Sequence, residues 1–139
     1  MAAFNKFQSF VEALAEKVHN LGADSLKVML TNTAPVATNS VKANLTDISA
    51  GNGYTAGGTA ATISSSAQTS GTYKLVLADV VFTASGGSIG PFRYAVLYND
   101  TATNKELIGW WDYGSAITVA SGETFTVDFD ATNGVLTLA

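Results

Sequence analysis

Apolar residues recur with two different periods along this chain. At the N-terminus, Phe4, Phe7, Val11, Leu14, Val18 and Leu21 follow at spacings of 3, 4, 3, 4 and 3, the period that stacks one stripe along an α-helix. Ala3, Ala13, Ala15, Glu12, Glu16 and Lys17 are good helix formers. His19 falls in the expected last turn, where the helix dipole favours a cation, and Gly22 stands where a left-handed closing residue is wanted. The pattern predicts one amphipathic helix over 4–21.

After Asp24 the period drops to two. Leu26, Val28 and Leu30 alternate with Lys27, Met29 and Thr31; Tyr73, Leu75 and Leu77 with Lys74 and Val76; Phe92, Tyr94, Val96 and Tyr98 with Arg93, Ala95 and Leu97; Phe125, Val127 and Phe129 with Thr126, Asp128 and Asp130. Such alternation turns one strand face to a core and the other to water or a neighbour. Residues 107–111, 117–119 and 135–138 add short strands. Turn signals stand at Ser85-Gly86-Gly87, Asn99-Asp100, Ser121-Gly122 and Asn133-Gly134, the last two of hairpin type. Residues 101–104 widen a loop between two paired strands.

The expected fold is therefore mainly β: a β-sandwich or jelly-roll-like barrel of about seven or eight strands with one N-terminal amphipathic helix. Residues 1–22 form the helical segment, packed on the domain or on a neighbouring subunit, and 23–139 a single β-domain. Within it, 49–71 stands apart: apart from Tyr54, Ile63 and Gln68, every residue is Gly, Ala, Ser, Thr or Asn. Two readings are open, a strand near 59–65 between loops, or an extended arm that orders against a partner.

Composition narrows the chemistry. Of 139 residues 47% are hydrophobic and 13% charged, with a formal charge of −4, one histidine and no cysteine. Without cysteine there is no thiol catalysis, iron–sulfur cluster or disulfide framework. One histidine rules out a multi-histidine metal site within a chain, and the acidic balance argues against nucleic acid. Charged residues interrupt the N-terminal apolar positions, so neither a signal peptide nor a membrane span is expected. The strand positions turned away from the core are Thr, Ser, Ala and Asn rather than mixed charge, which points to a subunit held in an assembly.

Individual candidates for chemistry are sparse. His19 reads as a helix-capping cation, since a catalytic role needs a nucleophile and an orienting carboxylate. Asp128 and Asp130 share a strand face, with Glu123 and Asp112 in possible reach; they are either an acid/base or calcium cluster or an exposed polar face beside a turn. Gly51-Asn52-Gly53 lacks the lysine and helix of a phosphate loop. The sequons at Asn44 and Asn99 read as chance. Trp110 and Trp111 point to opposite strand faces. Either both are buried, one in the core and one beneath the helix, or one is exposed to stack on a sugar or anchor a protein.

The opening FNKFQSFVEALAEKVHNLGADSLKVMLTNTAPVATNSVKANLTDISAGNGYTAGG and the closing RYAVLYNDTATNKELIGWWDYGSAITVASGETFTVDFDATNGVLTL resemble small virion structural proteins of tailed bacteriophages and prophages, of the head decoration or cement type. The resemblance implies a non-enzymatic component without cofactor, bound between subunits of the major capsid protein or to other virion proteins as a homo-dimer or trimer. It places the protein in the virion, assembled in the bacterial cytoplasm, with neither nucleic acid nor membrane as a partner. The alternative is a tail or fibre component that binds a host receptor or glycan. The expected interface residues are Phe4, Phe7, Phe10, Val11, Leu14, Val18, Leu21, Tyr54, Ile63 and Trp110, with the loop at 101–104.

Overall fold

A computed structural model describes residues 2–139. Among them lie ten strands and one short α-helix: β1 (Asn5–Lys6), α1 (Ser9–Ala15), β2 (Leu26–Thr31), β3 (Thr59–Ala61), β4 (Ile63–Thr69), β5 (Thr72–Leu77), β6 (Val80–Thr83), β7 (Ile89–Asn99), β8 (Leu107–Val119), β9 (Thr124–Val127) and β10 (Leu136–Leu138). They make three antiparallel sheets, in the orders β1-β8-β7-β2-β3, β10-β5-β4 and β6-β9. None of these sheets closes or curls, so the expected sandwich or jelly-roll-like barrel is replaced by one five-stranded sheet with two smaller ones beside it.

Turn chemistry explains part of the difference. Ser121-Gly122 and Asn133-Gly134 read as hairpin turns, yet β9 after the first pairs with β6, and β10 after the second pairs with β5. A two-residue turn makes a hairpin only when both flanking strands find their best partners in each other. The hairpin that does form inside 49–71 joins β4 to β5 through Ser70 (φ 51°) and Gly71 (φ 85°), the two left-handed residues of a type I′ turn. The segment is thus strand and loop, with β3 laid on β2.

The expected water-facing sides of the central strands are also corrected. Leu26, Val28, Leu30, Ala95, Leu97, Ile108 and Trp111 face the main core, which includes Leu75 and Leu77 of β5, Val80 and Phe82 of β6, and Val127 and Phe129. The opposite face carries Phe7, Met29, Val96, Tyr98 and Leu107, buried together with Leu45. Both faces are covered because LKVML, YAVLY and LIGWW are near-continuous apolar runs, the signature of a doubly buried strand. Each large side chain so buried stabilises the fold by about 1.5–3 kcal/mol.

The long N-terminal helix is replaced by a strand and two turns of helix. Phe4 and Phe7 flank β1, which extends the sheet at β8 (Asn5 opposite Trp110, Lys6 opposite Gly109). Phe4 then lies against Trp111 at 5.4 Å between ring centroids, and Phe7 against Trp110 at 4.5 Å. Ladder hydrogen bonds plus the packing of one buried and one half-buried ring outweigh a helical turn that is marginal by itself. The helix closes at Lys17, not Gly22: Lys17 (φ 69°) donates to the Leu14 carbonyl at 3.3 Å, and Val18 to that of Ala13 at 2.8 Å. These two bonds are a Schellman motif with lysine where glycine is usual.

Candidate functional site

Past α1, residues 18–24 turn back towards the loop that joins β7 to β8, and a cleft of about 980 Å³ opens between them. Asn99, the last residue of β7 and wholly buried, holds the two sides together. Its Oδ1 accepts from the backbone N–H groups of Thr101 (3.0 Å) and Ala102 (3.2 Å), which fixes the orientation of the amide. Its Nδ2 donates to Asp24 Oδ2 at 2.7 Å and to His19 Nδ1 at 3.0 Å. All of the amide's main hydrogen-bonding capacity is used.

That bond decides the imidazole tautomer. Nδ2 of Asn99 can only donate, so His19 Nδ1 accepts, and the proton of the neutral ring sits on Nε2. His19 is 5% exposed and packs on Phe10 at 5.3 Å between centroids. Burial pushes its pKa below the usual histidine value, against the opposing charges of Glu106 and Asp24. It is a neutral donor rather than the helix-capping cation its place in the sequence suggests. His19 Nε2 and Glu106 Oε2 are buried and have no hydrogen-bond partner, and both residues line the cleft.

Of the four carboxylate candidates, Glu123 and Asp128 are exposed, and Asp130 and Asp112 are occupied structurally. Asp130 accepts from the backbone N–H groups of Thr132 and Asn133 (2.9 and 2.8 Å) and from Asn133 Nδ2, bonds that hold its carboxyl below the ordinary range. Asp112 is gripped by Arg93 at 2.8 and 3.1 Å and lowered by it in the same way. Among the described residues no three His, Asp or Glu side chains are grouped to hold a metal ion. Gly51 and Tyr54 close a tight turn by exchanging backbone hydrogen bonds at 2.8 and 3.0 Å, and Asn52 donates to the Ser88 carbonyl.

The expected interface residues are dispersed. Phe7, Phe10, Leu21 and Tyr54 are buried within the chain. Tyr54 hydrogen-bonds to Asp47 and accepts from the Leu30 N–H at 3.0 Å, and burial raises the pKa of its phenol first of all. Phe4, Leu14, Val18, Ile63 and Trp110 are half-buried, and Val11 is 53% exposed. Trp111 lies in the core between Phe4 and Phe129, while Trp110 covers Phe7 on the other face, beside β1 rather than beneath the helix. An apolar groove does run between α1 and β10, lined by Phe4, Phe10, Val11, Leu14, Leu136 and Leu138, and it shares Leu14 and Leu138 with the His19 cleft.

Asn99, buried where it joins the cleft's two sides, was marked in the sequence only by the Asn99-Asp100 turn and a sequon, and Glu106, on the lining, by nothing. Comparison with protein families, curated proteins and solved structures found no match to this chain.

Proposed function

We propose that this protein is a structural subunit of a tailed-phage virion, a decoration or cement protein that binds between capsid subunits. The observation that carries the reading is strand β4. It ends its sheet, paired on one side only with β5. Its seven residues, Ile63–Thr69, contain no charge and no proline, and most are exposed. Proteins that remain alone in solution usually blunt such an edge with lysine, proline or brevity. The other sheet ends here are shorter: β1, β3, β6, β9 and β10 have two to four residues each. β4 has one irregularity, between Ile63 and Ser65; the run beyond it suits the addition of a partner's strand, in which main-chain hydrogen bonds supply affinity. The resemblance of the opening and closing segments to virion proteins supplies the kind of partner.

The mechanism is adhesive. Each copy adds a few backbone hydrogen bonds and some apolar burial at a subunit junction. Many symmetry-related copies turn a modest contact into particle stability. The test is deletion of the coding sequence from the phage or prophage that carries it, followed by heating and osmotic shock of the particles. Particles without the protein should burst at lower temperature, and adding back the chain should restore them. The Ser65→Lys/Ala67→Lys variant, which charges the exposed edge, should fold but fail to restore. Unchanged resistance after deletion overturns the proposal.

A further inference from the structure

We infer that the cleft beside His19 and Glu106 is a binding site for a neutral saccharide, a property independent of the role in the particle. The starting point is a pair of buried atoms with opposite needs. His19 Nε2 carries a proton and has no acceptor; Glu106 Oε2 is an acceptor without a donor. A buried polar atom left unpaired costs about 1–3 kcal/mol, and the two residues that carry these atoms both line one cleft. Sugar hydroxyls suit both needs, since a hydroxyl can accept from Nε2–H and can donate to a carboxylate.

The rest of the cleft narrows the ligand. Its walls combine apolar side chains, such as Leu14, with the ring of Tyr73, whose hydroxyl is engaged by Ser66 at 2.8 Å. Its rim offers neutral hydrogen-bonding groups, Thr103 and Asn104 among them. A pyranose has this same division, with hydroxyls around its edge and an apolar face of C–H groups. A volume of about 980 Å³ accommodates more than one ring. The charged side chains on the lining, Lys17, Asp24 and Glu106, are of mixed sign, and Asp24 is already bonded to Asn99. The cleft thus offers no concentrated charge to an ionic ligand and suits a neutral one. The other Glu106 oxygen, Oε1, accepts one weak bond, from exposed Asn104 Nδ2 at 3.4 Å.

The experiment is a titration of the ¹⁵N-labelled full chain with lactose, maltose and di-N-acetylchitobiose, following the His19 ring nitrogens and the Ala102 amide, with glycerol as the polyol control. At least one disaccharide should give a saturable shift of His19 Nε2 with a Kd of the order of 1 mM; glycerol should give none. Glu106→Ala should abolish the response. Thr103→Trp, an exposed change that fills the cleft without touching the core, should do the same in a folded chain. The absence of a saturable shift with all three sugars, a response undiminished by Thr103→Trp, or an equal response to glycerol overturns the site. A His19 Nε2 proton bridged only to water falls under the first of these.

Discussion

Gly58 lies directly against the carbonyl of Val28: a Cβ at position 58 would overlap that oxygen and its carbon, and the glycine sits at φ 85°. This close approach presses the 51–58 loop onto β2. Asp47 clasps the same loop from outside by accepting from Gly57 N–H at 2.6 Å, and the Tyr98 hydroxyl donates to the Gly57 carbonyl at 2.6 Å.

Gly58→Ala should therefore cost about 3 kcal/mol or more, from left-handed strain plus a forced backbone shift. Gly71 has the same φ of 85° but nothing within 4 Å of its missing Cβ. Gly71→Ala should cost only the strain, about 1–2 kcal/mol. Urea unfolding of the two variants measures the difference; equal losses would show that the approach to Val28 does not matter.

Asn99→Asp keeps the shape of the hub and reverses its chemistry. The donor to His19 and Asp24 becomes an acceptor facing a carboxylate. The variant should lose about 3 kcal/mol, the cost of breaking buried hydrogen bonds. His19 should respond by binding a proton more readily, its pKa rising relative to the wild-type chain. Imidazole NMR titration reads this directly.

The depressed pKa of His19 makes stability depend on pH in a window clear of the carboxylates. Folding penalises the protonated ring, so the unfolded chain takes up the proton first, near its ordinary 6.5. The contribution is complete above that pH and is lost as the pH falls towards the lower folded value. Between pH 6.5 and 5, stability should drop by at most about 1.4 kcal/mol per pH unit. His19→Gln, which keeps an acceptor for Asn99, should flatten the slope.

Lys17 holds a left-handed conformation that glycine adopts without strain. Lys17→Gly should stabilise the chain by about 1 kcal/mol. Thermal unfolding at neutral pH checks it, and a loss of stability would mean that the lysine side chain contributes more than its backbone costs.

The strands of the β-domain were legible where alternation was strong: the runs around Leu26–Thr31, Tyr73–Leu77, Phe92–Tyr98 and Phe125–Val127 all lie in strands. The N-terminal stripe misled because Phe4 and Phe7 satisfy a helical spacing and an edge-strand role equally well. The choice was made by Trp110 and Trp111, more than a hundred residues away, against which their rings pack. Of the candidate site the sequence marked His19, the stripe residues Leu14, Val18 and Leu21 and the loop at 101–104, but not as parts of one cleft. Asp24 lies in the same turn as His19, whereas Asn99 and Glu106 come from a stretch some 80 residues away that no local spacing announces.

Composition and period by themselves determined a mainly β chain and a chemistry without thiols, because these depend only on which side chains exist and how they alternate. Which strands pair, which face is covered, and that His19 is neutral with its proton on Nε2 were decided by tertiary structure alone. Pairing partners are chosen by competition among all strands at once. The state of a buried imidazole depends on the orientation of a single amide that the fold brings to it from 80 residues away.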